Sequence, residues 1–124
     1  MLNVLHVDDE PDIREVAAFA LEMDPNITVR SVASGREALD VLRSSASVNV
    51  ILLDVMMPDL DGPGTLEQLR RLADHADTPV IFMTARAQSH ELDRFLNLGA
   101  LAVIIKPFDP MTLGQLIRDH LAGA

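Results

Sequence analysis

The sequence predicts an α/β fold in which one parallel β-sheet carries helices on both faces. Short apolar segments alternate with amphipathic helical segments five times along the chain, and this alternation is typical of a parallel sheet. The third apolar segment, Val48–Leu53, is almost continuously apolar, as expected for a central strand covered on both faces. The 124 residues contain no linker, repeat or low-complexity stretch, so we expect a single domain over residues 1–124.

Five strands are predicted from apolar runs and from alternation of apolar and polar residues. They are Asn3–Val7, Ile27–Val32, Val48–Leu53, Pro79–Thr84 and Leu101–Ile105. Each is followed by a stretch with helical periodicity, which completes five β–α units.

The helices are predicted from apolar spacing and from capping signals. Pro11 suits the first turn of helix Pro11–Met23, whose buried face is expected to carry Ile13, Val16, Ala17 and Ala20. The S-x-x-E sequence Ser34–Glu37 predicts a capping box. The remaining helices are predicted at Gly64–Asp74, at Glu91–Gly99 with Gly99 as the stop, and after a cap at Asp109–Pro110.

Composition and charge exclude several classes of protein. The chain has no cysteine, which excludes disulfides and thiolate metal sites. It has no basic signal-peptide region and no apolar run long enough to span a membrane, so we expect a cytoplasmic protein without a membrane partner. The net charge of −9 disfavours direct nucleic-acid binding, whereas clustered acids suit Mg²⁺.

Four of the five predicted strands end at residues that supply three carboxylates, one hydroxyl and one ammonium group. Because the carboxyl ends of parallel strands meet at one edge of the sheet, these residues are expected to lie close together. They are Asp8 and Asp9 after the first strand, Asp54 after the third, Thr84 and Ala85 at the fourth, and Lys106 and Pro107 after the fifth.

This set of side chains suits phosphoryl chemistry. Clustered carboxylates raise one another's pKa unless a cation such as Mg²⁺ is present. An aspartate can attack phosphorus to give an aspartyl phosphate, and a lysine, a hydroxyl and a backbone N–H can stabilise the phosphoryl oxygens. The set contains no obvious base to activate water, so a stored phosphoryl group is favoured over rapid hydrolysis.

Four motifs resemble those of the response-regulator receiver domain of two-component signalling. They are "VDDEP" (Val7–Pro11), "LDVMMPDLDG" (Leu53–Gly62), "MTA" (Met83–Ala85) and "IKPF" (Ile105–Phe108). The resemblance covers Val4–Leu121, and the order and strand-end positions of all four motifs make it specific. It implies a flavodoxin-like (βα)5 fold with strand order 2-1-3-4-5.

By this resemblance, Asp54 accepts a phosphoryl group. Asp9, Asp54 and the backbone carbonyl of Met56 are implied to hold Mg²⁺, and Asp8 is implied to act through water. The side chains of Met56 and Met57 are expected to be packing residues.

The resemblance also implies roles for residues of the fourth and fifth strands. The Thr84 hydroxyl and the Ala85 backbone N–H are implied to bind phosphoryl oxygens, and Lys106 is implied to pair with the phosphoryl group. The Lys106–Pro107 bond is implied to be cis, and a cis bond before proline costs only about 0.5–1 kcal/mol.

Three positions depart from the usual pattern or tune it. Val103 stands where the family usually has an aromatic residue or histidine that moves with phosphorylation, so we expect a weaker or different switch. Met56 and Arg86 occupy the positions that tune phosphoryl lifetime. Neither positions water strongly, so dephosphorylation is expected to be slow to intermediate.

The implied partners are a sensor histidine kinase or a histidine phosphotransfer protein. The face formed by the fourth helix, fifth strand and fifth helix, roughly Glu91–Leu121, is implied to engage a downstream protein or output domain. Phosphorylation-dependent homodimerisation through that face is consistent with the sequence. The chain is expected to be a self-phosphorylating acceptor and not a conventional enzyme.

Other interpretations fit the residues less well. A phosphorylation-independent receiver-like module usually loses the acids or the lysine, which this chain retains. A dehalogenase-type phosphatase needs an acid where Met56 stands, and a flavin carrier needs small polar residues where "DDEPD" stands.

His90 lies in "SHEL" but lacks the continuation of a kinase phosphorylation box. His6 is expected to be a packed histidine and the other three to be surface residues, whereas Asp59 and Asp61 are expected in a solvated turn.

Overall fold

The computed structural model describes residues 1–44, 47–85 and 88–124, which form one five-stranded parallel sheet flanked by helices. The strands are β1 (Leu2–Val7), β2 (Ile27–Val32), β3 (Val50–Asp54), β4 (Val80–Thr84) and β5 (Ala102–Ile105). The helices are α1 (Pro11–Glu22), α2 (Gly35–Arg43), α3 (Gly62–Leu69), α4 (Ser89–Asn97) and α5 (Leu113–Ala122), with a short 3-10 helix at Ala73–His75.

The sheet has the strand order β2-β1-β3-β4-β5, and every neighbouring pair of strands is parallel. The predicted fold class and strand order are therefore confirmed. The order reverses between β1 and β3, which places the candidate residues at the point where parallel α/β sheets commonly bind ligands.

Two apolar cores lie on opposite faces of the sheet. One packs alternate residues such as Leu5 and Phe82 against α2, α3 and α4, and the other packs residues such as Leu52 and Met83 against α1 and α5. All residues of β3 and β4 are buried, which confirms the expectation for a central strand. The functional ends of these strands are consequently held by a rigid framework.

The capping box predicted at the start of α2 is present. The Ser34 hydroxyl accepts a hydrogen bond from the Glu37 backbone N–H at 3.1 Å, and the Glu37 carboxylate accepts one from the Ala33 N–H at 2.8 Å. These bonds satisfy amide groups that the first helical turn leaves without partners.

The boundaries predicted for the third helix were wrong. The helix begins at Gly62, because the Asp61 side chain caps it by accepting a hydrogen bond from the Gly64 N–H at 2.8 Å. It ends at Leu69, and the Arg70 guanidinium then donates to the carbonyls of His75 and Thr78. Those bonds hold the following residues in a separate turn, although the leucine spacing suggested one continuous helix.

Other helical expectations were also wrong. Asp109 does not cap α5, which begins at Leu113, since its carboxylate instead accepts from the Met111 N–H in a preceding turn. Val16 is 42% exposed, because α1 buries a face centred on Ala17 and Leu21. The fourth helix begins two residues earlier than predicted, at Ser89. Its predicted stop is confirmed, since the helix ends at Asn97 just before Gly99, whose φ is 109°.

One histidine expected at the surface is buried. His75 is 5% exposed, and its Nδ1 lies 2.9 Å from the Thr78 hydroxyl.

Among the residues described, no helix is long and apolar enough to cross a bilayer.

Candidate functional site

The ends of β1, β3 and β5 bring two carboxylates and one ammonium group together. Lys106 Nζ donates to Asp8 Oδ2 at 2.7 Å and to Asp54 Oδ1 at 3.2 Å. The Asp8 side chain is fully buried and the Asp54 side chain is 7% exposed. Because buried carboxylates are costly without partners, the shared ammonium group is what stabilises them in this arrangement.

The acidic stretch after β1 contributes more than the two predicted aspartates. Carboxylate oxygens of Asp8, Asp9 and Glu10 all lie within 4.8 Å of one another. Asp8 accepts from the Glu10 backbone N–H at 3.0 Å, and Arg14 donates to the Asp8 carbonyl at 2.7 Å. Glu10 and Arg14 were missed by the sequence analysis, although Glu10 stands inside the quoted "VDDEP" motif.

Burial and the neighbouring charges shift the pKa values of Asp54 and Lys106. Burial raises the pKa of Asp54 and the Asp8 charge raises it further; Lys106 partly opposes both, and the resulting pKa is about 6. Burial alone would lower the pKa of Lys106, but its hydrogen bond and charge interactions with Asp8 and Asp54 raise that pKa overall. The pocket therefore holds an ammonium group beside a carboxylate that ionises near neutral pH.

A small cavity of about 150 Å³ opens beside Asp54. Its lining residues are Glu10, Asp54, Met56, Thr84, Ala85 and Lys106. Thr84 is 5% exposed and Ala85 lies at the surface immediately after β4. The fold thus gathers residues from four separate segments around a space suited to a small polar group.

The loop between β3 and α3 carries Met56 to the cavity and folds back tightly. The Gly62 N–H donates to the Val55 carbonyl at 2.9 Å. A Cβ atom at Gly62 would lie 2.5 Å from the Asp54 carbonyl oxygen and 2.9 Å from Val55 Cα. Only glycine fits this close approach without displacing backbone next to Asp54.

Other side chains of this loop differ in part from expectation. Met57 is 8% exposed and packs as predicted, but Met56 is 72% exposed, so its side chain was wrongly expected to be a packing residue. Asp59 has a φ of 70° and pairs with Arg36 at 2.5 Å. Asp61 caps α3 and is more than a solvated turn residue.

The remaining predicted residues lie beside or away from the cavity. The Lys106–Pro107 peptide bond is cis, and the Lys106 N–H donates to the Thr84 carbonyl at 2.8 Å. Val103 lines a different cavity with Leu92 and Leu96. Arg86 lies outside the described residues.

His6 is buried in β1, as predicted, but in an unusual state. It is fully buried, and neither ring nitrogen has a hydrogen-bond partner among the described residues. Burial lowers the pKa of His6 to about 4, although the Asp8 charge opposes this. The ring is therefore neutral at physiological pH.

The donor set fits a hard cation. Carboxylate oxygens of Asp8, Asp9 and Glu10 lie together, and Asp54 lines the small cavity with Glu10. These are oxygen ligands, which Mg²⁺ prefers together with several waters. Lys106 can compensate part of the acidic charge when the metal is absent.

Comparisons with known proteins point to a single family. A family model described as the response regulator receiver domain matches residues 4–118. The chain is 36% identical over 121 residues to the response regulator Rre1 of Synechocystis sp., covering 98% of this chain and 52% of that protein. It is 34% identical to the response regulator SaeR of Staphylococcus aureus, and the match covers 98% of this chain and 51% of that protein. The chain therefore spans about half the length of these curated relatives.

Solved structures show the same fold. The Vibrio cholerae chemotaxis protein CheY4 superposes with a TM-score of 0.88 at 31% identity, covering 96% of this chain and 98% of that one. The receiver domain of Francisella response regulator 1452 gives a TM-score of 0.86 at 28% identity, and the match covers 99% of this chain and 98% of that one.

Proposed function

The chain belongs to the response regulator receiver domain family, and from this premise we propose that Asp54 accepts a phosphoryl group from a phosphohistidine. The donor is a sensor histidine kinase or a histidine phosphotransfer protein. In the transfer, an Asp54 carboxylate oxygen forms a bond to phosphorus, the phosphorus–nitrogen bond breaks, and its electron pair returns to the imidazole of the donor.

Each residue of the pocket has a distinct role in this proposal. Asp9, Asp54 and the Met56 carbonyl would hold Mg²⁺, with Asp8 acting through water. Mg²⁺ bound there would offset negative charge on the phosphoryl oxygens.

The groups from β4 and β5 would bind the phosphoryl oxygens. Lys106 would exchange its hydrogen bond with Asp54 for one with a phosphoryl oxygen. The Thr84 hydroxyl and Ala85 N–H would donate to other oxygens, and these donors are worth most in a pocket with little water.

The observation that carries the proposal is the Lys106 bridge. Lys106 donates to Asp8 at 2.7 Å, across 98 positions of sequence, and to Asp54 at 3.2 Å, across 52 positions. These two bonds join the ends of β1, β3 and β5. An ammonium group held against a buried carboxylate is already within reach of a phosphoryl group formed there, so little reorganisation is needed.

The consequence of phosphorylation is a change at the face formed by α4, β5 and α5. This face engages a downstream protein or output domain, or pairs two phosphorylated copies. Val103 lacks the aromatic ring usual at its position, so the signal travels mainly through Thr84 and movements of loops and helices. Equal dependence of partner binding on phosphorylation in wild type and Val103→Tyr would contradict this role for position 103.

The protein stores the phosphoryl group in the cytoplasm and does not turn over substrate as a conventional enzyme does. Met56 and Arg86 stand at the positions that tune phosphoryl lifetime, and neither is a strong water-positioning group. We expect the adduct to persist well beyond a second, as measured by the decay of intact mass after the phosphodonor is removed. Complete loss within a second would contradict this expectation.

The proposal is tested by incubating the protein with Mg²⁺ and acetyl phosphate and measuring intact mass. One added phosphoryl group is expected, and it should be absent without Mg²⁺ and in Asp54→Asn. A folded wild-type protein that acquires no adduct and shows no Mg²⁺-dependent binding of beryllofluoride would favour the alternative, a phosphorylation-independent interaction module.

A further inference from the structure

The β3–α3 loop contains a strained turn at Asp59, shortly after Met56 in the chain. The φ angle of Asp59 is 70°, in the left-handed region that residues with side chains rarely adopt. The Leu60 N–H donates to the Pro58 carbonyl at 2.9 Å, which closes a γ-turn with Asp59 at its centre. A γ-turn with positive φ is rare and strained, so it persists only where its surroundings hold it.

The backbone of the loop contributes little to holding this turn. Apart from the bond that closes the γ-turn, the stretch from Met56 to Leu60 forms no backbone–backbone hydrogen bond with another residue that the structure describes. The Gly62 N–H closes the base of the loop, and the Met57 side chain packs into the core. Support for Asp59 itself must therefore come from a neighbouring element.

Arg36, in the first turn of α2, provides that support. Its Nε donates to Asp59 Oδ2 at 2.5 Å, across 23 positions of sequence, and this hydrogen bond lowers the pKa of Asp59. The helix that carries Arg36 is anchored to the core by buried residues that include Ala38, Leu39 and Leu42. The Arg36–Asp59 pair consequently ties the strained turn to a fixed element.

The backbone of α2 also comes very close to the turn. A Cβ atom at Gly35 would lie 3.2 Å from the Leu60 carbonyl oxygen and 3.1 Å from Leu60 Cδ2. It would also lie 2.1 Å from Thr65 Oγ1. Only glycine allows this close approach, so the Arg36–Asp59 pair closes a contact between α2 and the loop that is already tight.

The Arg36–Asp59 pair is exposed, which determines where its effect is to be found. The two side chains are 64% and 66% exposed, and an exposed pair contributes little to the stability of a whole protein. A loop, however, opens at a much smaller free-energy cost than the whole fold. Loss of the pair should therefore change how often the loop opens and leave global stability nearly unaltered.

We propose that Arg36 is a positioning residue for Mg²⁺, and that it acts through Asp59 by holding the turn that keeps the Met56 carbonyl at the small cavity. Met56 lines that cavity and Arg36 does not, so Arg36 is not itself a ligand. The role in metal binding rests on the proposed function. The positive charge of Arg36 by itself disfavours a cation nearby, so its charge and its positioning act on Mg²⁺ affinity in opposite directions.

The first test measures amide hydrogen exchange by NMR in the metal-free protein. In Arg36→Gln, exchange at Leu60 and Gly62 should be roughly two- to fivefold faster than in wild type. Arg43→Gln is the matched control, because it removes another exposed ion pair of α2, with Asp40, and it should leave both amides unchanged. Unchanged exchange in Arg36→Gln, or equal acceleration in Arg43→Gln, would overturn the proposal. Urea unfolding should give nearly equal stabilities for the three proteins.

The second test measures Mg²⁺ affinity by NMR titration of the same proteins. Arg36→Gln is expected to bind Mg²⁺ about two- to fivefold more weakly than wild type, and Arg43→Gln as tightly as wild type. Because removal of a positive charge alone would strengthen binding, weaker binding reports the lost positioning. Equal or tighter binding by Arg36→Gln overturns the proposal and leaves the proposed function standing. A wild type that binds no Mg²⁺ overturns both.

Asp59→Gly tests whether Arg36 acts through Asp59. Glycine adopts a positive φ without strain, so the turn should no longer need the pair. In the Asp59→Gly background, Arg36→Gln should therefore cause no further loss of Mg²⁺ affinity and no faster exchange at Leu60. The same loss of affinity in this background as in wild type would contradict action through Asp59.

Discussion

Asp54 ionises with difficulty because the fold places it at the end of a buried strand beside another carboxylate. Its pKa is raised from 3.8 to about 6. Between these pH values the folded protein binds more protons than the unfolded chain, so the contribution of Asp54 to stability falls as pH rises. Above that window the ionised side chain is a cost that a bound cation would relieve.

We therefore predict that Asp54→Asn stabilises the metal-free protein at neutral pH. The gain over wild type should grow through the window from pH 3.8 to about 6 and level off at about 1–3 kcal/mol. Urea unfolding in the presence of a chelator, repeated across pH, measures it. If the variant is equally or less stable than wild type at neutral pH, the ionised Asp54 side chain does not destabilise the folded protein.

His6 has the opposite pH dependence. Its pKa is lowered from 6.5 to about 4, so the unfolded chain binds more protons within that window and stability falls as pH falls. The two buried ring nitrogens find no hydrogen-bond partner in the part of the chain that the structure describes, and this adds a cost at every pH.

Replacement of this ring by an apolar side chain is predicted to stabilise the protein. His6→Leu should be more stable than wild type at neutral pH, and the difference should widen as pH falls below 6.5 toward about 4. Urea unfolding of the two proteins at matched pH values is the measurement. If the difference in unfolding free energy between the two proteins stays constant over this range, burial does not lower the pKa of His6.

At the scale of single elements, the β3–α3 loop determines where the Met56 carbonyl lies. Its return toward the sheet depends on Gly62, where a Cβ would approach the Asp54 carbonyl oxygen to 2.5 Å. The loop is also held by the pairing of Asp59 with Arg36 and by the Asp61 cap on α3.

Gly62→Ala is predicted to destabilise the protein by about 2 kcal/mol or more and to weaken Mg²⁺ binding at least severalfold, because backbone beside Asp54 must move. Ser34→Ala is the matched control, since it removes a helix cap away from the pocket and should cost about 1 kcal/mol. Denaturant unfolding and Mg²⁺ titration followed by NMR measure the two effects. Undiminished Mg²⁺ affinity in Gly62→Ala would show that the loop does not position a ligand.

The sequence predicted the strands closely, because their apolar runs and alternation reflect burial on a sheet. It predicted helix boundaries less well at α3 and α5. There the decisive interactions are side-chain bonds, such as those of Arg70 and Asp109 to backbone groups in the adjoining turns. Apolar spacing does not report such bonds, and it also failed to show which side of α1 leaves Val16 exposed.

At the scale of the whole molecule, the site was predictable because parallel strand ends share one edge. The convergence of Asp8, Asp54 and Lys106 follows from the positions of these residues at the carboxyl ends of parallel strands. The burial of Asp8 and the contributions of Glu10 and Arg14 were not predictable, since they depend on how α1 leaves the sheet.

Because the pocket is assembled only in the folded chain, Mg²⁺ binding should stabilise the whole molecule. At about a hundredfold excess over Kd the expected gain is about 2.7 kcal/mol, and it should be lost in Asp9→Asn. Asp40→Asn, which alters an exposed acid on α2, should retain the gain. Thermal unfolding with Mg²⁺ or with a chelator provides the measurement, and an equal gain in both variants would place the metal elsewhere.

The most direct test of the central claim is to identify the residue that carries the phosphoryl group. The protein is incubated with Mg²⁺ and acetyl phosphate and treated with borohydride, which reduces an acyl phosphate to an alcohol, and the peptides are then sequenced by mass spectrometry. We predict homoserine in place of aspartate at position 54 and unmodified Asp8, Asp9, Asp59 and Asp61. Homoserine at any of those other positions, with Asp54 intact, would contradict the assignment of Asp54 as the phosphoacceptor.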